Sequence, residues 1–325
     1  MRRILLLSTG GTIEMVPGEK GFTPGAVSAM DTSVLSSIKD VTIVEERFCN
    51  LPSPHLDPVQ MAEITGRLMQ IEKTGEFEGV VVTHGTDTLE ETAFMVDIFL
   101  KGTLPVVFTA AMRSSGELGV DGPRNILSAV RVACTETKNL GVTVVLNDEI
   151  HAAGRVTKTC TSNVSSFASP GYGPLGFVDD DKVIYHRLPI WRLGLPFTCC
   201  KPVLEEKVGL VRTAAGFGGK LIDHLTDSGY RGIVVEAFGR GNVHPETADA
   251  IERAISRSVV VAVCSRCYMG RVLGVYGYEG GGADLFSKGA VSAGDMAGNK
   301  IRIMLMACLG AGLSAGEIEK LFENL

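Results

Sequence analysis

What this sequence has little of already narrows what it can be. Aromatic residues make up only 6% of its 325 positions, with a single tryptophan, whereas glycine reaches 39. Few bulky rings and much glycine suit an α/β protein with many tight strand-to-helix turns. There is no basic excess: 31 Lys+Arg against 37 Asp+Glu leave a formal net charge of -6. That balance argues against nucleic acid or an anionic membrane surface as the main partner. No apolar run approaches the roughly 20 residues of a membrane-spanning helix, so no membrane is expected. At the N-terminus two arginines precede only a short apolar stretch, 4–7, before Ser8 and Thr9. That is too short for a secretory leader and no small-residue cleavage site follows, so a soluble, cytoplasmic protein is expected.

The eight cysteines fit a reducing compartment, because residues such as Cys134 and Cys308 sit in apolar stretches and read as buried thiols. Cys264 and Cys267 form one CxxC. A zinc site needs a second pair or nearby histidines, and none lies close in the sequence, so the pair reads as structural and no metal is expected. No GK[ST] follows the early glycine turn, which excludes a P-loop, and GGTIEM at 10–15 does not supply a dinucleotide fingerprint.

What is present is a rhythm. Short apolar runs at 4–7, 41–45, 80–83, 106–109, 142–146, 209–212, 232–235 and 259–263 read as strands, and amphipathic segments at 58–72, 89–100, 125–135 and 245–256 read as helices. Buried-looking strands separated by helices predict a mostly parallel, doubly wound sheet. The stretch LPIWRLGLPFTCCKPVLEE, 188–206, breaks the rhythm with its prolines and lack of period. The expected architecture is therefore α/β. A larger N-terminal, doubly wound, mostly parallel sheet occupies 1–187, a linker 188–206, and a second, smaller C-terminal α/β domain 207–325. At this length such a chain buries a large core without disulfides or metal. Near the end, Ser314 followed by Glu317 has the spacing of a capping box and opens a helix over 314–324.

Three stretches carry chemistry. The first is Ser8-Thr9-Gly10-Gly11-Thr12, at the carboxyl end of the first strand, where open parallel sheets bind ligands. It reads either as a phosphate-binding or structural turn, or as two hydroxyls, Thr9 and Thr12, on a glycine hinge. The second is GVVVTHGTDTLEETAFMVDIFL, 79–100, where a strand again ends in polar residues before a helix. Asp87 or Thr88 reads as a helix cap, with Glu90 and Glu91 favourable near the positive end of the dipole. The alternative is a reactive Thr86-Asp87-Thr88. The third is GRVTKTCTSNVSSFASP, 154–170, in which Lys158 lies among small polar residues. It is either a solvated surface charge or, if buried, a base.

Taken together, TGGTIE at 9–14, HGTDTLEET at 84–92, DGPRN at 121–125 and GRVTKT at 154–159 resemble the bacterial-type L-asparaginases in order and spacing. The likeness runs over nearly the whole chain, and CSRCYMGRV at 264–272 is closer to the cytoplasmic branch. The resemblance implies hydrolysis of the side-chain amide of L-asparagine to L-aspartate and ammonia, with no metal or organic cofactor. It implies a homo-oligomer, dimer or tetramer, with sites at subunit interfaces. Carried over residue by residue, Thr12 is the nucleophile, Thr86 the second essential threonine and Lys158 its proton partner. Asp87 holds the substrate's α-ammonium and Ser53 its α-carboxylate. Gly11 and Ala111 line the substrate pocket, and Asn242 in GRGNVHP reaches a neighbouring site. The chemistry agrees: a threonine hydroxyl is a weak nucleophile until a base takes its proton, and a tetrahedral oxyanion needs backbone donors of the kind glycine turns supply.

Two positions depart from the family pattern. A lid tyrosine is replaced by Phe22, which has no proton to share, and Pro54 rather than glutamine follows Ser53. Glu279 is the nearest candidate for the acidic residue that some members donate across the interface. Alternative readings are a glutaminase, an amidohydrolase of another amide, or a non-catalytic amino-acid sensor on the same scaffold. The asparaginase-like subunit of the archaeal transamidation enzyme shares the motifs but carries an extra N-terminal domain. The six histidines are dispersed: His84 is expected to support its loop through hydrogen bonds, and His55 and His151 to line a pocket or lie on the surface.

Overall fold

The structure is a computed structural model that describes residues 1–25, 32–102, 104–135, 140–189 and 201–323. The chain divides into two compact units, Met1–Pro202 and Val203–Leu325. Of the expected linker, residues 190–200 lie outside the described residues.

In the first unit the elements run β1 (Arg2–Ser8), β2 (Met15–Gly18), β3 (Gly21–Pro24), β4 (Val41–Arg47), α1 (Pro58–Thr74), β5 (Gly79–Thr83), α2 (Leu89–Phe99), β6 (Val106–Thr109) and α3 (Gly122–Ala133). There follow β7 (Val142–Leu146), β8 (Glu149–Ala152), β9 (Thr157–Lys158), β10 (Phe167–Ala168), β11 (Gly176–Asp179) and β12 (Lys182–Tyr185). Eight of these strands form one sheet in the order β12-β11-β8-β7-β6-β5-β1-β4. The part from β4 to β7 is parallel, as expected, and the other end is an antiparallel extension through β8, β11 and β12. Short, half-exposed strands such as β12 carry no buried run, which is why the apolar pattern did not announce them.

Alternation on the central strands feeds two cores. Leu5, Leu7, Val80, Val82, Val106 and Phe108 pack with Ile64, Leu68 and Ile71 of α1 and Leu89, Ala93 and Val96 of α2. Ile4, Leu6, Val81 and Val107 point to the other face and pack with Ile126, Ala129 and Val130 of α3. Because every residue of β5 is buried, each valine there contributes about 1.5–3 kcal/mol of burial energy. α1 starts at a capping box between Asp57 and Gln60 and stops at Gly75, whose φ of 62° is left-handed. α3 starts three residues earlier than its apolar pattern predicts, because Pro123 is accommodated in the first turn.

The topology of the parallel part brings two of the motif segments side by side. From β1 the chain passes to β4 on one side and then returns to β5 on the other. Such a reversal is where open α/β sheets bind ligands, and Ser8–Thr12 and His84–Thr88 are the segments that leave the carboxyl ends of β1 and β5.

The second unit comprises β13 (Val208–Arg212), α4 (Lys220–Asp227), β14 (Gly232–Ala237), α5 (Pro245–Ser256), β15 (Val260–Ser265), α6 (Gly282–Ser287), β16 (Val291–Ser292), α7 (Gly298–Gly310) and α8 (Ala315–Phe322). Its four strands are all parallel, in the order β13-β14-β15-β16. Ile233, Val235, Val261 and Val263 pack with Ile222 of α4 and Ala250, Ile251 and Ala254 of α5. The other face is covered by α7, where Leu305 seats over Gly232. The capping box read from Ser314 and Glu317 is present at the start of α8. Among the described residues no helix is long and apolar enough to cross a membrane.

Candidate active site

The two glycine-containing strand ends meet. A Cβ built on Gly11 would lie 2.4 Å from Gly85 Cα, and one on Gly85 would lie 2.6 Å from Ser53 Oγ. Only backbone fits between these segments, so Thr12, Thr86 and Ser53 leave one crowded point. Thr9 ties the two ends, with its N–H and Oγ1 both donating to the Thr83 carbonyl, at 3.1 and 2.9 Å. The hydroxyl of Thr9 is thereby used structurally. Thr12 opens a single 3-10 turn, Thr12–Glu14, directly after Gly11, whose φ is 89°.

The second motif settles its own ambiguity. Thr88 occupies the N-cap of α2 but makes no side-chain cap bond; its hydroxyl donates to the Ser53 carbonyl at 2.8 Å. The carboxylate of Asp87 is engaged by Lys158, with Nζ 2.7 Å from Oδ1. Neither side chain is a helix cap. The same Lys158 Nζ donates to Thr86 Oγ1 at 2.8 Å. Thr86 is buried, 6% exposed, and the Lys158 side chain is 18% exposed, so most of the lysine is withdrawn from solvent. Its backbone is held by the two-residue pairing of β9 with β10, opposite the buried Phe167. Ser53 is buried, and its hydroxyl accepts the Asp87 N–H at 3.1 Å.

A third strand end completes the group. Ala111, buried just beyond β6, and Ile13, beside Thr12, both pack against Gly122. The loop is locked by Asp121 of the DGPRN motif, whose carboxylate accepts the N–H groups of Met112 at 3.0 Å and Arg113 at 2.9 Å. Asn125 of the same motif donates to the Ala110 carbonyl at 2.9 Å.

His84 supports its loop as expected. Its Nδ1 lies 2.8 Å from the Gly85 carbonyl and its Nε2 3.0 Å from Thr92 Oγ1. A carbonyl only accepts, so Nδ1 carries the proton and Nε2 accepts from the threonine. Complete burial pushes the His84 imidazole down to about 4, which keeps the ring neutral. His55 is exposed; His151 is buried against Ser169.

Thr12, Thr86, Asp87, Lys158, Ser53, Gly11 and Ala111 thus gather around the carboxyl ends of β1, β5 and β6. Asn242 lies in the second unit, where its Oδ1 accepts the Gly282 N–H at 3.2 Å, and Glu279 is exposed there. Phe22 sits on β3 opposite Pro17 of β2 and is 46% exposed. Cys264 is buried, which pushes its thiol well up, while Cys267 is exposed. Beside the Thr12 turn, Arg47 Nη2 lies 3.2 Å from Oε2 of Glu14, the last residue of TGGTIE; the motif alone assigned neither residue a partner.

Two family models match the chain, "Asparaginase, N-terminal" over residues 3–191 and "Glutaminase/Asparaginase C-terminal domain" over residues 207–322. The chain belongs to the asparaginase family. Within that family it is 38% identical to the "Probable L-asparaginase" of Deinococcus radiodurans, over 99% of this chain and 97% of that one. It is 33% identical to an L-asparaginase of Bacillus licheniformis, over 95% and 96% of the two chains. A solved asparaginase structure, the "Probable Cytoplasmic L-asparaginase from Campylobacter jejuni", superposes with a TM-score of 0.85 at 30% identity and covers 100% of both chains.

Proposed function

We propose that this asparaginase-family protein hydrolyses L-asparagine to L-aspartate and ammonia with Thr12 as nucleophile. The observation that carries the reading is the single amine of Lys158, held between Thr86 Oγ1 at 2.8 Å and Asp87 Oδ1 at 2.7 Å. An α-amino acid presents one cation and one anion. Asp87, whose side chain is 57% exposed, supplies the carboxylate for the α-ammonium, and the Ser53 hydroxyl retains a proton to donate to the α-carboxylate. Gly11 and Ala111 shape the wall against which the side-chain amide lies.

In the first step Thr12 Oγ attacks the amide carbon and its proton passes to a base. Thr86 and Lys158 form the path by which protons reach and leave the site. Backbone N–H groups of the glycine turns stabilise the oxyanion. The C–N bond breaks as nitrogen takes a proton and leaves as ammonia. Water then attacks the resulting Thr12 ester, restores the hydroxyl and releases aspartate.

Further assignments belong to the same proposal. The protein is cytoplasmic, supported by its likeness to the probable cytoplasmic L-asparaginase of Campylobacter jejuni. It is a homo-oligomer, dimer or tetramer, in which Asn242 serves a neighbouring copy's site. Its two domains are joined by the segment 188–206, supported by the gap between the two matched models, 3–191 and 207–322.

Ammonia release from asparagine and glutamine, measured side by side, tests the substrate. Activity on asparagine that falls by roughly 10³-fold or more in T12A and T86A is expected for an enzyme of this kind. Equal or greater release from glutamine reassigns the substrate. The replacement of the lid tyrosine by Phe22 favours one second reading, an amino-acid sensor; T12A with unimpaired function in cells identifies it.

A further inference from the structure

Two residues behind Thr12, Glu14 is completely buried, although its carboxyl belongs to one of the residue types least often found inside proteins. Such burial requires partners on the carboxyl oxygens. One oxygen accepts from the Ser8 hydroxyl at the end of β1. The other pairs with Arg47 Nη2 at 3.2 Å, at the end of β4. The main chain of Glu14 is equally tied: its N–H donates to the Gly11 carbonyl at 2.9 Å, closing the turn that contains Thr12, and its carbonyl accepts the Gly25 N–H at 3.4 Å. Gly25 is the point where the exposed hairpin β2–β3 returns. The Gly25 carbonyl is gripped from the other side by Asn50 Nδ2 at 2.8 Å and Arg47 Nη2 at 3.3 Å. Arg47 therefore bridges a carboxylate on the outgoing side of the hairpin and a carbonyl on the returning side. The segment 47–51 that supplies these donors leads directly to Ser53.

We infer that Glu14 and Arg47 are positioning residues, an internal ion pair that fixes the base of the hairpin 15–24 and, through the 11–14 turn, the aim of the Thr12 hydroxyl. The pair touches no substrate atom. It joins three segments that must agree in position for attack, namely the turn of Thr12, the hairpin, and the loop of Ser53. A charged, partly enclosed pair suits that task because removing the cation leaves a buried carboxylate with the Ser8 hydroxyl in place of a charge partner, so one arrangement is strongly preferred. This inference rests on the assignment of Thr12 as nucleophile.

The test uses the full-length protein with E14Q, R47A and R47K. E14Q keeps the volume and an acceptor for Ser8 but turns an amide towards Arg47. R47A leaves the buried Glu14 carboxylate without its cation and is the more destabilising change. E14Q removes the buried charge and leaves Arg47, whose side chain is 37% exposed, open to solvent; E14Q therefore folds even if R47A does not. In E14Q and R47A, kcat for asparagine should fall by roughly 10- to 100-fold, the scale set by misplacing a reacting group. KM should change by less than about 3-fold, because Asp87 and Ser53 are untouched. R47K should restore most of the rate. A second readout does not depend on activity: Lys20, in the exposed turn between β2 and β3, should be cut by trypsin several-fold faster in E14Q and R47A than in the wild type. Unchanged kcat in a folded E14Q or R47A, or a change in KM alone, overturns the inference. So does equal cutting at Lys20. If the wild type releases no ammonia from asparagine, it is the proposed function that fails, and the trypsin rates still decide whether the pair holds the hairpin.

Discussion

Gly11 and Gly85 pass so close that a single methyl carbon on Gly11 would stand 2.4 Å from Gly85 Cα and 2.5 Å from its nitrogen. Gly11 also has a φ of 89°, where side chains other than hydrogen are strained. Two independent strand ends can touch only because neither brings a side chain, and the residues that follow each glycine, Thr12 and Thr86, are thereby brought together. G11A should lower stability by about 1–3 kcal/mol through strain alone. It should also cut ammonia release by at least ~10-fold by displacing Thr12. Thermal unfolding and initial rates on the same preparation check both.

Lys158 and Asp87 separate rate from affinity. Lys158→Met keeps the stem of the side chain and removes the proton-carrying nitrogen, and kcat should fall by roughly 10²- to 10⁴-fold. Asp87→Asn keeps the shape and removes the charge that meets an α-ammonium, so KM should rise more than kcat falls. Steady-state kinetics with asparagine, together with the affinity for aspartate by calorimetry, distinguish the two. A parallel loss in both variants would show that the pair acts only as a unit.

The buried His84 predicts acid sensitivity. Its pKa drops from 6.5 to about 4 on folding, so between those values the unfolded chain binds more protons than the folded one. Stability contributed by the neutral ring is therefore intact above pH 6.5, falls as pH drops through that window, and is fully lost below about 4. The difference amounts to roughly 3 kcal/mol, from about 1.4 kcal/mol for each unit. Urea midpoints measured across this range should drop in the wild type. His84→Gln, which keeps hydrogen-bonding groups but does not titrate, should flatten the profile.

Asp121 accepts two consecutive backbone N–H groups, at 3.0 and 2.9 Å, and one from Asn125 at 3.1 Å. D121A strands these donors and should destabilise by about 1–3 kcal/mol, while loosening the loop that carries Ala111. A shift in the denaturant midpoint with an unchanged slope, accompanied by a higher KM, is the expected result.

Much of this protein was written locally. The run of three valines in β5 marked an interior strand, its alternation fed two opposite cores, and helices between such runs forced parallel pairing. Ser314 and Glu317 marked the start of α8 because a capping box is satisfied within one turn of chain. The antiparallel extension was not legible, since β11 and β12 are short and half-exposed and acquire their meaning only from neighbours in the sheet. The threonines, Asp87 and Lys158 were visible as motifs, but the bonds they make were not. Whether Thr88 caps α2 or braces Ser53, and whether Lys158 faces solvent or Thr86, depends on contacts between residues as far as 72 positions apart. Local propensity has no reach over that distance. The pairing of Glu14 with Arg47 is of the same kind: a glutamate next to an apolar strand reads as a surface charge until the ends of β1 and β4 enclose it. Sequence by itself determined the buried parallel strands and the amphipathic helices with a clear apolar period, because hydrogen bonding and burial within a segment act over a few residues. Which polar groups share a site was decided only by the winding of the sheet, which sets distant strand ends side by side.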